Sequence, residues 1–362
     1  MTAEIQNSMI PRRISRMVMV KDLQLGGGAP VRLQSMCNTD TRDSQTTLAQ
    51  IQALAASGCE LVRVAVKNHD TLPHLKKIID ASPLPVIADI HFDYTLALGS
   101  IEAGVAKLRI NPGNIGSNRK LREVARAALD SGVPIRVGAN SGSLEKELLS
   151  RYGPSARALA ESALRNASLL ENEGLNNLVL SMKGSDVRTT VEACRIVAAS
   201  CDYPLHLGVT EAGPAEISAI RSSIALGALL LEGIGDTIRI SVTGGVIEEM
   251  SIAKEILRCT GLRRDLGPTI ISCPTCGRTE VDLLPLVRMV QRITSHITKP
   301  LKIAVMGCPV NGIGEARDAD LGIAAAPSSS IVFALGKVLC RIPNENLEEE
   351  FGKIVRQFVS EE

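Results

Sequence analysis

Two sets of residues in this chain have types and spacings that can do chemistry. The first is a set of thiols with a carboxylate. Cys273 and Cys276 form a C-x2-C pair at the end of the strand-like PTIIS, Cys308 follows the next strand-like run, KIAVMG, and Glu315 lies beyond it in a glycine-rich turn. Two loops leaving neighbouring strands can bring soft thiolates to one point, which suits an iron–sulfur cluster or zinc. Cys308 argues against a simple dithiol. A structural zinc site would call for a fourth Cys or His, and neither occurs from Asn311 to Asp320. Ligand types alone leave both metals open.

The second set is cationic. Arg63 in VRV, Arg109 in LRI, Arg136 in IRV and Arg239 in IRI each stand between aliphatic neighbours in a short apolar run, and Lys183 follows another such run. A cation inside a strand buried on both faces is costly unless it is paired. Asp89, Glu211 and Asp236 are the candidate partners. Five cations against three carboxylates leave positive charge to be balanced, and converging arginines are suited to phosphate oxygens, so the ligand expected is an anion, a polyphosphate. Glu211, at the tip of a strand in HLGVTEAG, is the first candidate for proton transfer. Asp89, His91 and His206 are expected at corresponding strand ends, where a lone histidine is as often a structural hydrogen-bonding residue.

These residues need elements to position them. Between residues 31 and 241 eight short apolar runs have strand character: VRLQSM, ELVRVAV, PVIADI, AKLRIN, PIRVGA, NLVLSM, PLHLGV and DTIRIS. Helix-forming segments separate them, several ending in glycine (ASG, EAG, DSG, NEG) just before the next strand. Eight βα units without a G-x-G-x-x-G turn after the first strand fit a closed (β/α)8 TIM-type barrel. Period-two alternation then turns the arginines into the lumen near its C-terminal end, where barrel active sites lie. After IEEMSIAKEILRCTGL the pattern changes to short strands and a charged terminal helix. An α/β chain with a barrel at 1–264 and a small α+β domain at 265–362 that carries the cysteine set is expected.

Composition narrows the classes. Hydrophobic residues are 45% of the 362 but aromatics only 2%, so the core must be aliphatic. Forty basic and 39 acidic side chains give a net charge of +1, which speaks against nucleic acid or a membrane surface as partner. No secretory h-region and no 18-residue apolar run is found, so a cytoplasmic protein is expected. Of the nine cysteines, Cys59, Cys194, Cys201, Cys259 and Cys340 read as small buried hydrophobes.

The blocks CPTCGRTE and GCPVNGIGEA closely resemble the cluster signature of the bacterial 4-hydroxy-3-methylbut-2-enyl diphosphate synthases, reductases of the non-mevalonate isoprenoid pathway. The likeness runs through the barrel as well: QSMCNTDT, IADIHFD, LRINPGNIG, SGSLEK, LHLGVTEAG and EGIGDTIRIS. It departs at Ile313, where the family commonly has proline, and at Cys37, where it often has threonine.

The resemblance implies a [4Fe-4S] cluster on Cys273, Cys276, Cys308 and Glu315, with the glutamate displaceable by substrate. It implies that Arg63, Arg109, Arg136, Lys183, Arg239 and Ser241 hold the diphosphate of a cyclic methylerythritol diphosphate. Asn111, Asn140, Ser143 and Ser181 would add hydrogen bonds, although loop capping suits each of them equally. Reduced flavodoxin or ferredoxin would supply electrons, and a homodimer would bring one chain's cluster to the other's barrel. The rivals are a zinc-stabilised phosphate-binding barrel synthase and an iron–sulfur scaffold protein.

Overall fold

The computed structural model describes residues 11–111, 115, 117–309 and 312–360. The chain divides into two compact units, Met1–Arg263 and Arg264–Glu362.

In the first unit a hairpin, β1 (Val18–Val20) and β2 (Leu23–Leu25), precedes eight parallel strands. These are β3 (Arg32–Met36), β4 (Leu61–Ala65), β5 (Val86–Asp89), β6 (Lys107–Ile110), β7 (Ile135–Asn140), β8 (Leu178–Lys183), β9 (His206–Leu207) and β10 (Thr237–Ile238). Their order is β8-β7-β6-β5-β4-β3-β10-β9, and a parallel bridge between Leu180 and Leu205 joins the two ends into a barrel. All eight expected strands are present.

Helices α1 (Ser44–Ala56), α2 (Leu72–Ala81), α3 (Tyr94–Glu102), α4 (Asn118–Asp130), α5 (Lys146–Tyr152), α6 (Ala156–Glu171), α7 (Val187–Ser200), α8 (Ala215–Leu231) and α9 (Val246–Cys259) connect them. Local chemistry sets their ends. Asp43, Asp93, Ser155 and Asp186 each accept a backbone N–H of the following first turn. The four glycines expected to stop helices, Gly58, Gly104, Gly132 and Gly174, all have positive φ.

The hairpin was not anticipated from the sequence. Val18, Val20 and Leu25 pack against Leu61, Ile87, Ala106 and Val179, sealing the barrel at the N-terminal ends of its strands with apolar surface. The lumen therefore opens to solvent at the opposite end. Among the described residues no helix is long and apolar enough to cross a membrane.

The second unit is a five-stranded sheet in the order β11 (Thr269–Ser272), β12 (Lys302–Met306), β13 (Leu321–Ala324), β14 (Ser329–Ala334), β15 (Lys337–Pro343), parallel through β13 and antiparallel after it. Alternation divides its faces. Ile303 and Val305 join Leu321 and Ile323 in a core with α10 (Leu283–Thr294) and α12 (Leu347–Ser360), supplied by Val290, Leu347, Phe351 and Val355. Ala304 and Met306 face the other way, with Ala316, Ala319 and Phe333 beside the one-turn helix α11 (Gly312–Glu315).

Candidate active site

Strand register decides which side chains share the lumen. Met36 aligns with Arg63, Asp89 with Arg109, and Arg109 with Arg136, so these residues point the same way from neighbouring strands. Gly138 aligns with Ser181 and Asn140 with Lys183, extending the set along β7 and β8. The result is a pocket of about 140 Å³ lined by Arg63, Asp89, His91, Arg109, Arg136, Asn140, Ser181, Lys183, Thr210, Arg239 and Ser241. All five sequence-predicted cations meet in it.

Arg109, Arg136 and Lys183 are buried, at 5%, 1% and 7% exposure, so these charges cannot be screened as surface charges are. Two strand glycines admit them. A Cβ on Gly208 would lie 2.5 Å from Lys183 Nζ, and one on Gly138 would lie 3.0 Å from Arg109 Nε.

The counter-charges are fewer than expected. Asp89 stands 3.3 Å from Arg109 Nη1, 4.0 Å from Arg63 Nε and 3.2 Å from His91 Nε2. Burial works against its ionisation, but Arg63, the His91 hydrogen bond and Arg109 outweigh that and hold the carboxyl below the usual carboxylate range. Even so, Asp89 Oδ1 receives no aligned hydrogen bond among the described residues. The other counter-charge is Glu249 on α9, which accepts from Arg239 Nη2 at 3.1 Å and from Ser35 Oγ at 2.8 Å. Sequence reasoning missed Glu249. The available signal was a glutamate in the apolar phase of a helix otherwise buried through Val246, Met250 and Ala253.

Asp236 corrects an expectation. Instead of pairing with lumen cations, it lies at the sealed end, accepting from Ser15 Oγ at 2.8 Å, from Arg12 Nη2 at 3.2 Å and from the Leu205 backbone at 2.8 Å. It precedes β10, three residues before Arg239, so alternation puts the two on opposite faces and the strand puts them at opposite ends. His206 also departs from its expected strand-end position, being fully buried at the start of β9 with Nδ1 2.7 Å from Thr237 Oγ1.

Glu211 is exposed and keeps a left-handed backbone, φ +55°, a conformation rare for a residue with a Cβ. It lines a cavity adjoining the cationic pocket with His91, Phe92, Arg109, Asn111, Asn140, Gly142 and Thr210. With its amide oriented to match its neighbours, Asn140 accepts from Arg109 Nη2 at 3.0 Å. Asn111 is buried in this wall, and Ser181 is buried in the pocket itself. Ser143 belongs to the short turn Ser141–Ser143, and its side chain lies outside the described residues.

In the second unit, Cys273 follows β11 and Cys308 follows β12, neighbouring parallel strands, so both thiols leave the same end of the sheet. Cys273 Sγ accepts the Gly307 backbone N–H at 3.2 Å. Cys276 is exposed, and the Arg278 backbone N–H, with help from the Thr279 hydroxyl, lowers its pKa, while Glu315 at the end of α11 opposes that. Among the described residues no three His, Cys, Asp or Glu side chains stand together as a ready metal site. The donor types and their placement nonetheless fit an iron–sulfur group: thiols on two adjacent loops, with the Glu315 carboxylate near Cys276. Cys37, Cys59 and Cys194 contrast with these, burial pushing each thiol up to about 12.

Comparison with known proteins agrees with this architecture. A family model described as the GcpE TIM-barrel domain matches residues 15–254, and one described as the GcpE protein C-terminal domain matches residues 269–357. A protein of Caldanaerobacter subterraneus is 47% identical over 352 residues, covering 97% of this chain and 99% of its own length. One from Desulfotalea psychrophila is 49% identical over 357 residues, covering 98% of each. Both are named 4-hydroxy-3-methylbut-2-en-1-yl diphosphate synthase (flavodoxin). Among solved structures, 3-dehydroquinate dehydratase of Geobacillus kaustophilus overlays 68% of this chain and 98% of its own with a TM-score of 0.50 at 14% identity, a likeness of fold alone. Full-length identity near one half, with both domain models matched in order, places the chain in the 4-hydroxy-3-methylbut-2-en-1-yl diphosphate synthase (GcpE) family.

Proposed function

We propose that this chain is a cytoplasmic iron–sulfur reductase that opens 2-C-methyl-D-erythritol 2,4-cyclodiphosphate and removes one oxygen as water, giving 4-hydroxy-3-methylbut-2-enyl diphosphate. Two electrons and two protons balance the conversion. The observation that carries this reading is the pocket in which Arg63, Arg109, Arg136, Lys183 and Arg239 face only Asp89 and Glu249 as carboxylates among the described residues. Such an excess of convergent donors suits a diphosphate. Ser181, Ser241, Asn111, Asn140 and Ser143 would complete the hydrogen bonding.

Cys273, Cys276, Cys308 and Glu315 would hold a [4Fe-4S] cluster, which supplies electrons one at a time. Glu211, which lines the cavity adjoining the cationic pocket, would give up or receive a proton at the bound ester. The relatives' names support reduced flavodoxin as the donor. The chain leaves the barrel at Arg263, whose guanidinium bonds the Val31 carbonyl and Glu60 beside the start of β3, at the end opposite the mouth. The same reading includes a homodimer in which a second copy brings its cluster to this mouth.

Anaerobic purification with iron and sulfide analysis, followed by a dithionite-driven assay on the cyclodiphosphate, tests the reading. Four irons per chain and product formation are expected. Stoichiometric zinc without turnover would favour a non-redox barrel synthase, and iron without turnover a cluster scaffold.

A further inference from the structure

Beneath the mouth lies a second polar layer that diphosphate binding does not explain. Lys107 stands on β6 two residues below Arg109, Gln34 on β3 two below Met36, and His206 on β9 aligns with Thr237, two below Arg239. All three are fully buried. Among the described residues, Lys107 Nζ, both amide atoms of Gln34 and His206 Nε2 have no hydrogen-bond partner, and neither do Nε and Nη1 of Arg136. Below this layer the hairpin closes the barrel with Val18, Val20 and Leu25.

A buried amine with no carboxylate to pair it does not keep its charge. Among the described residues the charged or titratable neighbours around the lumen are Arg63 on β4, Asp89 on β5, His91 just after β5, Arg109 on β6, Arg136 on β7, Lys183 on β8, His206 on β9, Arg239 just beyond β10, and Glu249 on α9. Only Asp89 and Glu249 are acids, and each is engaged by an arginine at the mouth. Burial first, then Arg136 and Arg63, push the Lys107 amine far below its ordinary range. Burial and the surrounding cations do the same to Lys183 and His206.

We propose that Lys107 is a reserve counter-cation: uncharged while the mouth is empty, it takes a proton from solvent when an anionic ester fills the mouth, so that binding is coupled to proton uptake. A diphosphate brings several negative charges over a layer that has none, and low dielectric carries their field downward. Lys107 touches neither the ligand nor the reacting atoms. It positions the site electrostatically, and Gln34 and His206 are the uncharged polar groups that share its layer. The inference rests on the reading of the mouth as a diphosphate site.

The test is calorimetric titration of the oxidised, cluster-loaded full-length chain with 2-C-methyl-D-erythritol 2,4-cyclodiphosphate, without reductant, in two buffers of different ionisation enthalpy near pH 8. The wild-type chain is expected to take up protons on binding. Lys107→Met and the more polar Lys107→Gln should each take up about one fewer, and the steepness with which affinity falls as pH rises should drop by about tenfold per pH unit. Lys183→Met, which loses a direct contact, should keep the Lys107 proton. No proton uptake by the wild-type chain would overturn the proposal even if neither Lys107 variant folds. So would an unchanged count in either variant, or complete loss of uptake in Lys183→Met. Failure of the diphosphate reading itself looks different: no binding, or binding indifferent to Arg109→Met.

Discussion

The barrel mouth and the cysteine loops solve opposite problems. At the mouth the charges are already assembled: strand pairing sets Arg109 beside Arg136, Arg63 beside Met36 and Lys183 beside Asn140, and Gly138 and Gly208 leave room for Arg109 and Lys183. The electrostatic cost of that assembly is borne in the folded chain and would be relieved by an anion. On the second unit the soft donors sit on loops, Cys276 is exposed, and no three potential ligands are gathered among the described residues. There the metal would do the gathering, as binding free energy becomes local folding free energy. A rigid site recognises; a loose one waits for its group.

The strongest way to break this contrast is to separate the two regions by mutation. Cys273→Ser, Cys276→Ser or Cys308→Ser should abolish the iron signal and bring turnover to background. Cyclodiphosphate affinity measured on the same variants should stay within about a factor of two, as for independent sites. Coupled loss of iron and affinity would mean that the mouth is not preassembled.

The converse variants come next. Arg109→Met or Arg136→Met should weaken cyclodiphosphate binding by roughly 30- to 5,000-fold, the range for truncating one member of a buried charge pair, while iron content stays at the wild-type level. Equilibrium titration and iron analysis check the two halves. A smaller effect, about tenfold in KM, is expected for Gly208→Ala, whose new Cβ would crowd Lys183 Nζ. An unchanged KM would show that the strand does not set the position of Lys183.

Asp89 sharpens the electrostatic side of the comparison. Its folded carboxyl lies below the ordinary value, held there chiefly by Arg63 against the opposing effect of burial. A depressed carboxylate contributes stability that is complete above its unfolded value, near pH 4, and is lost as pH falls through the folded one. Chemical denaturation should therefore show wild-type stability dropping below pH 4 more steeply than that of Asp89→Asn. The variant should already be the less stable of the two at neutral pH, because Arg63 and Arg109 lose their counter-charge. Parallel acid profiles would remove Asp89 from the charge balance.

Much of this was legible in the sequence, for identifiable reasons. Strands buried on both faces write themselves as apolar runs, so an arginine inside one is conspicuous, and period two assigns its face. That logic found all five mouth cations. It misplaced Asp236, which it grouped with the lumen carboxylates although alternation and strand direction separate that residue from Arg239. It missed Glu249 because a single acid in an amphipathic helix looks like surface, and it missed Lys107 because the lysine opens its strand and reads as an edge residue. The sealing hairpin escaped because three-residue strands carry too little pattern. The cysteine loops show the opposite limit: spacing named the donors, but neither sequence nor strand geometry alone draws them together.

The decisive measurement is product formation from 2-C-methyl-D-erythritol 2,4-cyclodiphosphate by the anaerobic, dithionite-reduced chain, followed by phosphorus NMR in the wild type, Cys276→Ser and Arg136→Met. Turnover by the wild type alone, with full iron in Arg136→Met and intact ligand binding in Cys276→Ser, is the expected result. Wild-type turnover by Arg136→Met, or zinc in place of iron in an inactive wild type, would contradict it.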